Sequence, residues 1–341
     1  MSGGVRRALL DDAPGERRGV VLLDGRPEHL ILDRDGEFDP APLGARFTAR
    51  VGAWAGDRAF AALPNGPAGV LRAGASRPPE GAAVEVEVAT EAWGDKGPRL
   101  RLLGPAEGPP RLLAPPPSIT ARLAALAPHA ELERGPVARE AADVAEDAVC
   151  AVEYRFRGGL TVTVEPTRAL VAVDVDLAAG EGAGPNRIKE ANLSAIRHSV
   201  RLLRLKALGG AAVVDLLGFP DPAVRGLHRA EARRALAPDG PEATASAPDA
   251  FGLLALVRPR GTRPVVSRLQ GADGRPTPRA AAQRLLRDLE RELAADPGVA
   301  LAAAAPPSVA AELRPWLLGL RGRVALRELA EGAGPPHVAR A

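Results

Sequence analysis

The sequence predicts an α/β chain of several domains, multi-domain α+β overall, and three observations lead there. Two short β-branched runs, VAVDVDL (171–177) and AAVVDLL (211–217), flank a segment with apolar residues at Leu193, Ile196, Val200, Leu203 and Ala207. That spacing marks one face of an amphipathic helix, and strand, helix and strand of this length make a parallel βαβ unit within a mixed sheet. Upstream, the chain from Gly44 to Leu103 breaks into short apolar runs punctuated by Pro64-Asn65-Gly66, Gly74 and Pro78-Pro79-Glu80-Gly81. Several short strands with such turns read as a small barrel inserted near the N-terminus. Downstream of Pro278, helical and strand patterns alternate, as in a small α/β C-terminal domain.

In order, residues 17–34 read as a β-hairpin turning at Asp24-Gly25, a dipeptide suited to a two-residue turn. The barrel runs are ARFTARVGAW, DRAFAAL, AGVLRAG and AAVEVEVATEAW. Residues 104–117, GPAEGPPRLLAPPP, are proline-rich and read as an extended linker, and Ser118 to Leu126 has helical patterning. Gly209-Gly210 follows the central helix as its stop. A further helix starts near Pro222 with Arg225, His228, Arg229, Arg233 and Arg234 along it. The tail reads helix (280–295), strand (298–304), helix (307–320) and strand (323–329), with Trp316 at core spacing beside Leu313 and Leu317.

Composition limits the function classes. The 341 residues carry 45 basic and 42 acidic side chains, a net charge of +3, so local basic patches rather than bulk charge would attract nucleic acid. Nearly all the positive charge is arginine, since lysine occurs only at 96, 189 and 206. Cys150 is alone, which leaves no intrachain disulfide and no cysteine-rich zinc site. No apolar run approaches the ~20 residues of a membrane span. A cytoplasmic protein without a membrane partner is the expectation.

The chemistry concentrates on Asp174 and Asp215, each near the C-terminal end of its run. In an open α/β sheet such ends line the crevice where ligands sit, and two carboxylates meeting there repel unless a cation lies between them. Mg²⁺ fits, being hard, oxygen-seeking and commonly held by one or two carboxylates plus waters. The alternative is that each aspartate only caps a neighbouring turn. Asp174-Val175-Asp176 also permits a D-x-D metal clamp of the nucleotide-sugar transferase type, although no nucleotide-pocket motif accompanies it.

Between Gly158 and Phe219 the blocks GGLTVTVEPTRALVAVDVD, ANLSAI and RLLRLKALGGAAVVDLL follow one another in fixed order. In order and spacing they resemble the core of the ribonuclease E/G family, whose blocks are GG-x-x-x-I-E-x-T-E-A-L-x-x-I-D-V-N, T-N-L-E-A-A and R-x-L-R-L-R-D-L-GG-x-I-V-I-D-F. The resemblance implies an endoribonuclease that hydrolyses single-stranded RNA with Mg²⁺, leaving a 5′-phosphate and a 3′-hydroxyl. It places the metal-binding, catalytic aspartates at Asp174 and Asp215. Asp176 stands where the family has Asn and shares a strand face with Asp174, so it could assist the metal. Arg168 replaces a Glu and could pair with a carboxylate.

The same resemblance implies a division into residues 1–43 (a hairpin of an RNase H-like subdomain), 44–104 (an OB-fold RNA-binding barrel), 105–156 (linker and abbreviated sensor region), 157–268 (a catalytic DNase I-like subdomain) and 275–341. Within the barrel it places an RNA-contacting lysine at Lys96, in GDKGPRLRL, and a base-stacking aromatic at Phe60, in DRAFAAL. Phe60 has the alternative of a place in the barrel core. A second family aromatic is replaced by Val70. Arg229 on the basic helix and Arg258 in FGLLALVRPRG are its further RNA contacts. The family's 5′-monophosphate sensor carries an Arg-Thr pair that is missing here, Arg139 being the nearest candidate. Its C-P-x-C zinc link has no cysteines here, so any homo-oligomer would form without zinc. These departures, with Ala255 and Val257 in place of Glu and Thr, raise the alternative of a catalytically weak or inactive RNA-binding relative.

Overall fold

The computed structural model describes residues 4–74, 77–178, 184–218, 222–320, 323–330, 332 and 334–340. Phe219, the end of the stretch that contains the matched blocks, lies outside these. The chain opens with an antiparallel meander of β1 (Arg6–Ala13), β2 (Glu16–Leu23) and β3 (Arg26–Arg34). Asp24 and Gly25 take φ of 50° and 74° at the β2–β3 turn, the doubly positive pair that a two-residue hairpin requires.

The barrel runs through β4 (Arg46–Ala55), β5 (Arg58–Ala62), β6 (Gly69–Arg72), β7 (Ala83–Thr90) and β8 (Arg99–Pro105). β5 pairs with β4 and β6, β6 runs parallel to β8, β8 pairs with β7, and β7 returns to β4. The circuit therefore closes, around Phe47, Val51, Leu71, Val84, Val86 and Val88. The expected linker does more than connect. It finishes β8 and adds β9 (Arg111–Ala114) against β4, where prolines beside an edge strand break no ladder bonds.

Next come α1 (Ile119–Leu126), β10 (Leu132–Glu133) and α2 (Pro136–Cys150). β10 adds to β1 in parallel. α1 packs Ile119 and Leu123 on one face of the first sheet, and α2 packs Ala138, Ala142 and Val149 toward the other.

The second sheet contains β11 (Glu153–Arg155), β12 (Leu160–Pro166) and β13 (Val171–Leu177), then α3 (Pro185–Leu205) leads to β14 (Gly210–Asp215). After α4 (Pro222–Leu236) come β15 (Thr244–Ala245) and β16 (Leu253–Arg258), and the spatial order is β11-β12-β13-β14-β16-β15. β13 and β14 are parallel, as the βαβ reading requires, and their other neighbours are antiparallel. A parallel pair suggests burial on both faces, but Val171, Val173 and Val175 are buried while Asp174 and Asp176 are exposed. In a mostly antiparallel sheet one face can remain wet.

The end of α3 also differs from its sequence reading. The left-handed residue is Ala207 (φ 54°), not a glycine. Leu208 N–H donates to the Leu203 carbonyl (2.8 Å) and Ala207 N–H to that of Arg204 (2.9 Å), the two bonds of a Schellman ending. Gly209 serves a different need, because a Cβ there would lie 2.6 Å from the Pro259 carbonyl oxygen.

The tail comprises α5 (Val266–Leu269), α6 (Pro278–Ala295), β17 (Leu301–Ala305), α7 (Pro307–Leu317), β18 (Val324–Glu328) and β19 (His337–Arg340), with β17 central in a three-stranded sheet. Trp316 packs with this domain's core, as its spacing suggested.

On β3, burial together with Arg258 and Arg204 outweighs Glu28 and Asp239 to push His29 down to about 4. The unfolded chain therefore binds a proton between about pH 6.5 and pH 4 that the folded chain refuses. Stability must fall as pH drops through that window, by about 1–2 kcal/mol between pH 7 and pH 5. Urea midpoints at the two pH values check this, and His29→Gln should flatten the difference.

Candidate active site and nucleic-acid interface

Alternation along β13 and β14 places Ala172, Asp174 and Asp176 beside Ala211, Val213 and Asp215 on the open face of the second sheet. Asp174 and Asp215 are direct partners in the parallel register, so their backbones lie about 4.8 Å apart. Thr163 is opposite Asp174 on the other side, and Thr161 is opposite Asp176. Neither Asp174 nor Asp215 forms an ion pair among the described residues. Asp176 is partly engaged, with Oδ1 accepting from Leu177 N–H at 2.7 Å.

One positioning residue was not singled out by the sequence reading. Asn192 on α3 is buried, and its Oδ1 accepts from Leu217 N–H (2.9 Å) while its Nδ2 donates to the Leu217 carbonyl (3.1 Å). A reciprocal amide pair of this kind fixes both backbone groups two residues beyond Asp215, and so fixes the exit of β14. The signal was present in the ANLSAI block, which is otherwise an ordinary helical run.

A cleft of about 780 Å³ separates the barrel from this sheet. Phe60, Trp93 and Lys96 line it from the barrel, and Arg168, Ala207 and Arg260 from the sheet side. Its floor reaches Val171 and Ala211, at the starts of β13 and β14. Asp174 lies three residues further along, roughly 10 Å at the rise of a strand. The cleft thus lies at the end of the sheet away from both aspartates, neither of which lines it.

Phe60 points outward, since Ala59 and Ala61 take the inward positions of β5, and it is 62% exposed. That places it on the outside of the barrel rather than in its core. Its cross-strand neighbour is Val70, which in turn pairs with Arg99. Trp93 and Lys96 exchange backbone hydrogen bonds of 3.0 and 3.2 Å across a turn at Gly94, and the Trp93 indole is 46% exposed. Trp93 went unremarked in the sequence; its only signal was adjacency to the Gly-Asp-Lys-Gly turn.

Charge in the cleft is mainly positive. Glu91 is consumed by the amides of Leu43 (3.1 Å) and Arg263 (3.0 Å). Arg168 sits at the tip of the β12–β13 turn, where the Thr167 hydroxyl donates to the Leu170 carbonyl at 2.7 Å. It is exposed and pairs with no carboxylate among the described residues, contrary to the partner expected for it.

Two of the other expected contacts separate. Arg229 lies exposed on α4. Arg258 turns inward: its Nε donates to Asp239 (2.7 Å) and its Nη1 to the Leu208 carbonyl (3.1 Å). Asp239 is also gripped by Arg204, which reaches the fully buried Glu28 at 2.8 Å. Burial would raise the Asp239 carboxyl, but Arg204 and Arg258 carry it below its usual range. Arg258 is therefore a partly buried member of an ion-pair network, with Nε and Nη1 already engaged. Arg139 is likewise occupied, by Asp11 (3.3 Å) and Glu290 (3.2 Å).

Residues 140–261 match the model of the Ribonuclease E/G family. A Ribonuclease E/G-like chloroplast protein of Arabidopsis thaliana is 34% identical over 113 residues, covering 32% of this chain and 11% of that protein. The match thus spans about a tenth of that relative's length.

Proposed function

We propose that this chain, which belongs to the ribonuclease E/G family through the core at residues 140–261, is an endoribonuclease that cuts single-stranded RNA on the open face of its second sheet. The observation that carries the reading is the register pairing of Asp174 with Asp215 on a solvent-facing surface, in a sheet whose other end borders a basic, aromatic cleft. The pair suits Mg²⁺: two adjacent carboxylates with no protein cation between them among the described residues, and room for waters and phosphate oxygens. Asp174 and Asp215 would hold the ion, with Asp176 beside them. When bound, Mg²⁺ lowers the pKa of water at the site and polarises the scissile phosphate.

The chain's own groups do the rest. The barrel circuit, in which the third and fifth strands run parallel, is read as an OB-type fold that presents the strand. Phe60 and Trp93 offer stacking faces, and Lys96 with Arg168 neutralises backbone phosphates. The rigid turn held by Asn192 keeps Asp215 aimed at the open face. Truncation of Phe60 to Ala should weaken binding to a short oligoadenylate by about 1–3 kcal/mol, measured by fluorescence anisotropy. Affinity unchanged in that variant would remove Phe60 from the RNA path.

The competing reading, a binder without catalysis, is favoured by the apolar Leu253 and Val257 on the same open face. An end-labelled A/U-rich RNA incubated with purified protein separates the two. Cleavage with Mg²⁺ that stops in EDTA supports the nuclease; intact RNA that remains bound in both supports the binder.

A further inference from the structure

A second cluster of cations lies at the edge of the same sheet, outside the cleft and the aspartate pair. The Phe156 and His198 rings stack at 3.7 Å with 4° between their planes, and the Arg26 guanidinium covers the Phe156 ring at 5.3 Å. Arg201, one turn beyond His198 on α3, donates from Nη1 to the Pro27 carbonyl. Its Nε is buried and has no hydrogen-bond partner. The nearby carboxylates are already used, Glu28 by Arg6 and Arg204 and Glu231 by Arg197 at 3.3 Å. Among the described residues Arg26 and Arg201 form no ion pair. Burial and then Arg26 push Arg201 down to about 10, and burial with Arg201, Arg26 and Arg197 pushes His198 down to about 3. Cations gathered this closely, with a buried N–H left unmade, lack an anion.

Position says which anion fits. Phe156 N–H donates to the Leu160 carbonyl (2.8 Å), and Leu160 and Thr161 pair with Leu177 and Asp176. The cluster therefore stands at the end of the sheet that holds the aspartates, on the α3-covered face and round the sheet's rim from them, while the cleft stands at the other end. Between aspartates and cluster lies the Gly158-Gly159 turn, and nothing lies within 4 Å of a Cβ built at Gly158. We propose that Arg26 and Arg201, backed by the Phe156–His198 stack, form a pocket for a phosphate of the RNA strand after it has crossed Asp174 and Asp215. Guanidinium groups suit phosphate because two donors meet two oxygens. The pocket rests on the ribonuclease reading for the identity of its ligand alone.

His198 reports on it. The five histidines give few enough signals for a carbon–proton spectrum, and His198→Gln identifies its own. The probes are inorganic phosphate and a short oligoadenylate with either a 5′-phosphate or a 5′-hydroxyl, added to Asp215→Asn protein so that the RNA stays whole. We expect a saturable shift of the His198 signal with RNA. Arg26→Gln, a surface change, should weaken it about tenfold without altering the melting temperature. A response to both oligomers assigns an internal phosphate, and a response to the 5′-phosphorylated one alone assigns a terminal phosphate. A static His198 signal while anisotropy shows bound RNA would overturn the pocket, as would an Arg26→Gln variant that titrates like its parent. A response to inorganic phosphate but to neither oligomer would overturn RNA as the ligand while leaving an anion site.

Discussion

Asp215→Asn should reduce RNA cleavage by at least about a thousandfold and leave RNA affinity equal or slightly tighter. The substitution keeps the shape of the side chain and removes one of the two charges that can hold a cation at the β13–β14 register pair. Charge stabilisation by such an ion is worth several kcal/mol, and each ~1.36 kcal/mol is tenfold in rate. Affinity moves the other way because a carboxylate facing the open sheet repels phosphate. Asp174→Asn should behave alike, and the double variant should be no worse than either single one, since residues acting as one unit are not additive. Asp176→Asn should change the rate by less than about tenfold. Its carboxylate already accepts from Leu177 N–H, and Asn can accept the same bond. Single-turnover cleavage and anisotropy on the same RNA check all four. A fully active Asp215→Asn enzyme would place the chemistry elsewhere.

Arg287→Met should lower stability by about 3–5 kcal/mol, the range for breaking a buried ion pair by removing one partner. Arg287 on α6 is 2% exposed and donates to Glu16 on β2 (2.8 Å) and Glu146 on α2 (2.9 Å). Glu146 also receives Arg18 (3.0 Å), and Arg18 reaches Asp11 at 2.6 Å. Removing Arg287 leaves Glu16 with Arg34 alone (2.6 Å) and Glu146 with Arg18 alone, each short of one cation where water cannot reach. The exposed Arg7–Glu133 pair (2.5 Å) makes the contrast, and Arg7→Met should shift the midpoint far less than Arg287→Met, because a solvated pair is screened. Urea denaturation of both variants tests the ranking. An Arg287→Met midpoint equal to that of Arg7→Met would show that the network adds nothing to stability.

Local patterns carried part of this structure into the sequence, and long-range pairings did not. The 3.6-residue period of α3 and the paired β-branched runs were enough to bring Asp174 and Asp215 together, because a parallel crossover leaves little freedom in register. Turn residues exposed the barrel, and alternation along DRAFAAL left Phe60 open between core and surface until its inward neighbours were seen to be alanines. The open face of the second sheet was not legible, since the pairing of β14 with β16 depends on residues about forty positions apart. Arg258 looked like a surface base because its partner, Asp239, belongs to a short turn after α4. The Glu16–Arg287 contact joins residues 271 positions apart, beyond the reach of any local pattern. Ala207 took the left-handed position at the end of α3 while glycines stood two residues away, because Gly209 is needed for the close approach of Pro259.

The most direct test replaces one non-bridging oxygen of a single scissile phosphate by sulfur and compares cleavage in Mg²⁺ and in Mn²⁺. Mg²⁺ keeps to oxygen ligands, whereas Mn²⁺ tolerates sulfur better. If Asp174 and Asp215 hold the ion against the phosphate that is cut, the sulfur-bearing RNA should be cleaved slowly in Mg²⁺ and recover in Mn²⁺, with neither ion rescuing Asp215→Asn. Equal cleavage of both RNAs in Mg²⁺ for either sulfur stereoisomer would contradict the account, because no cation held by the aspartate pair would then touch the reacting phosphate.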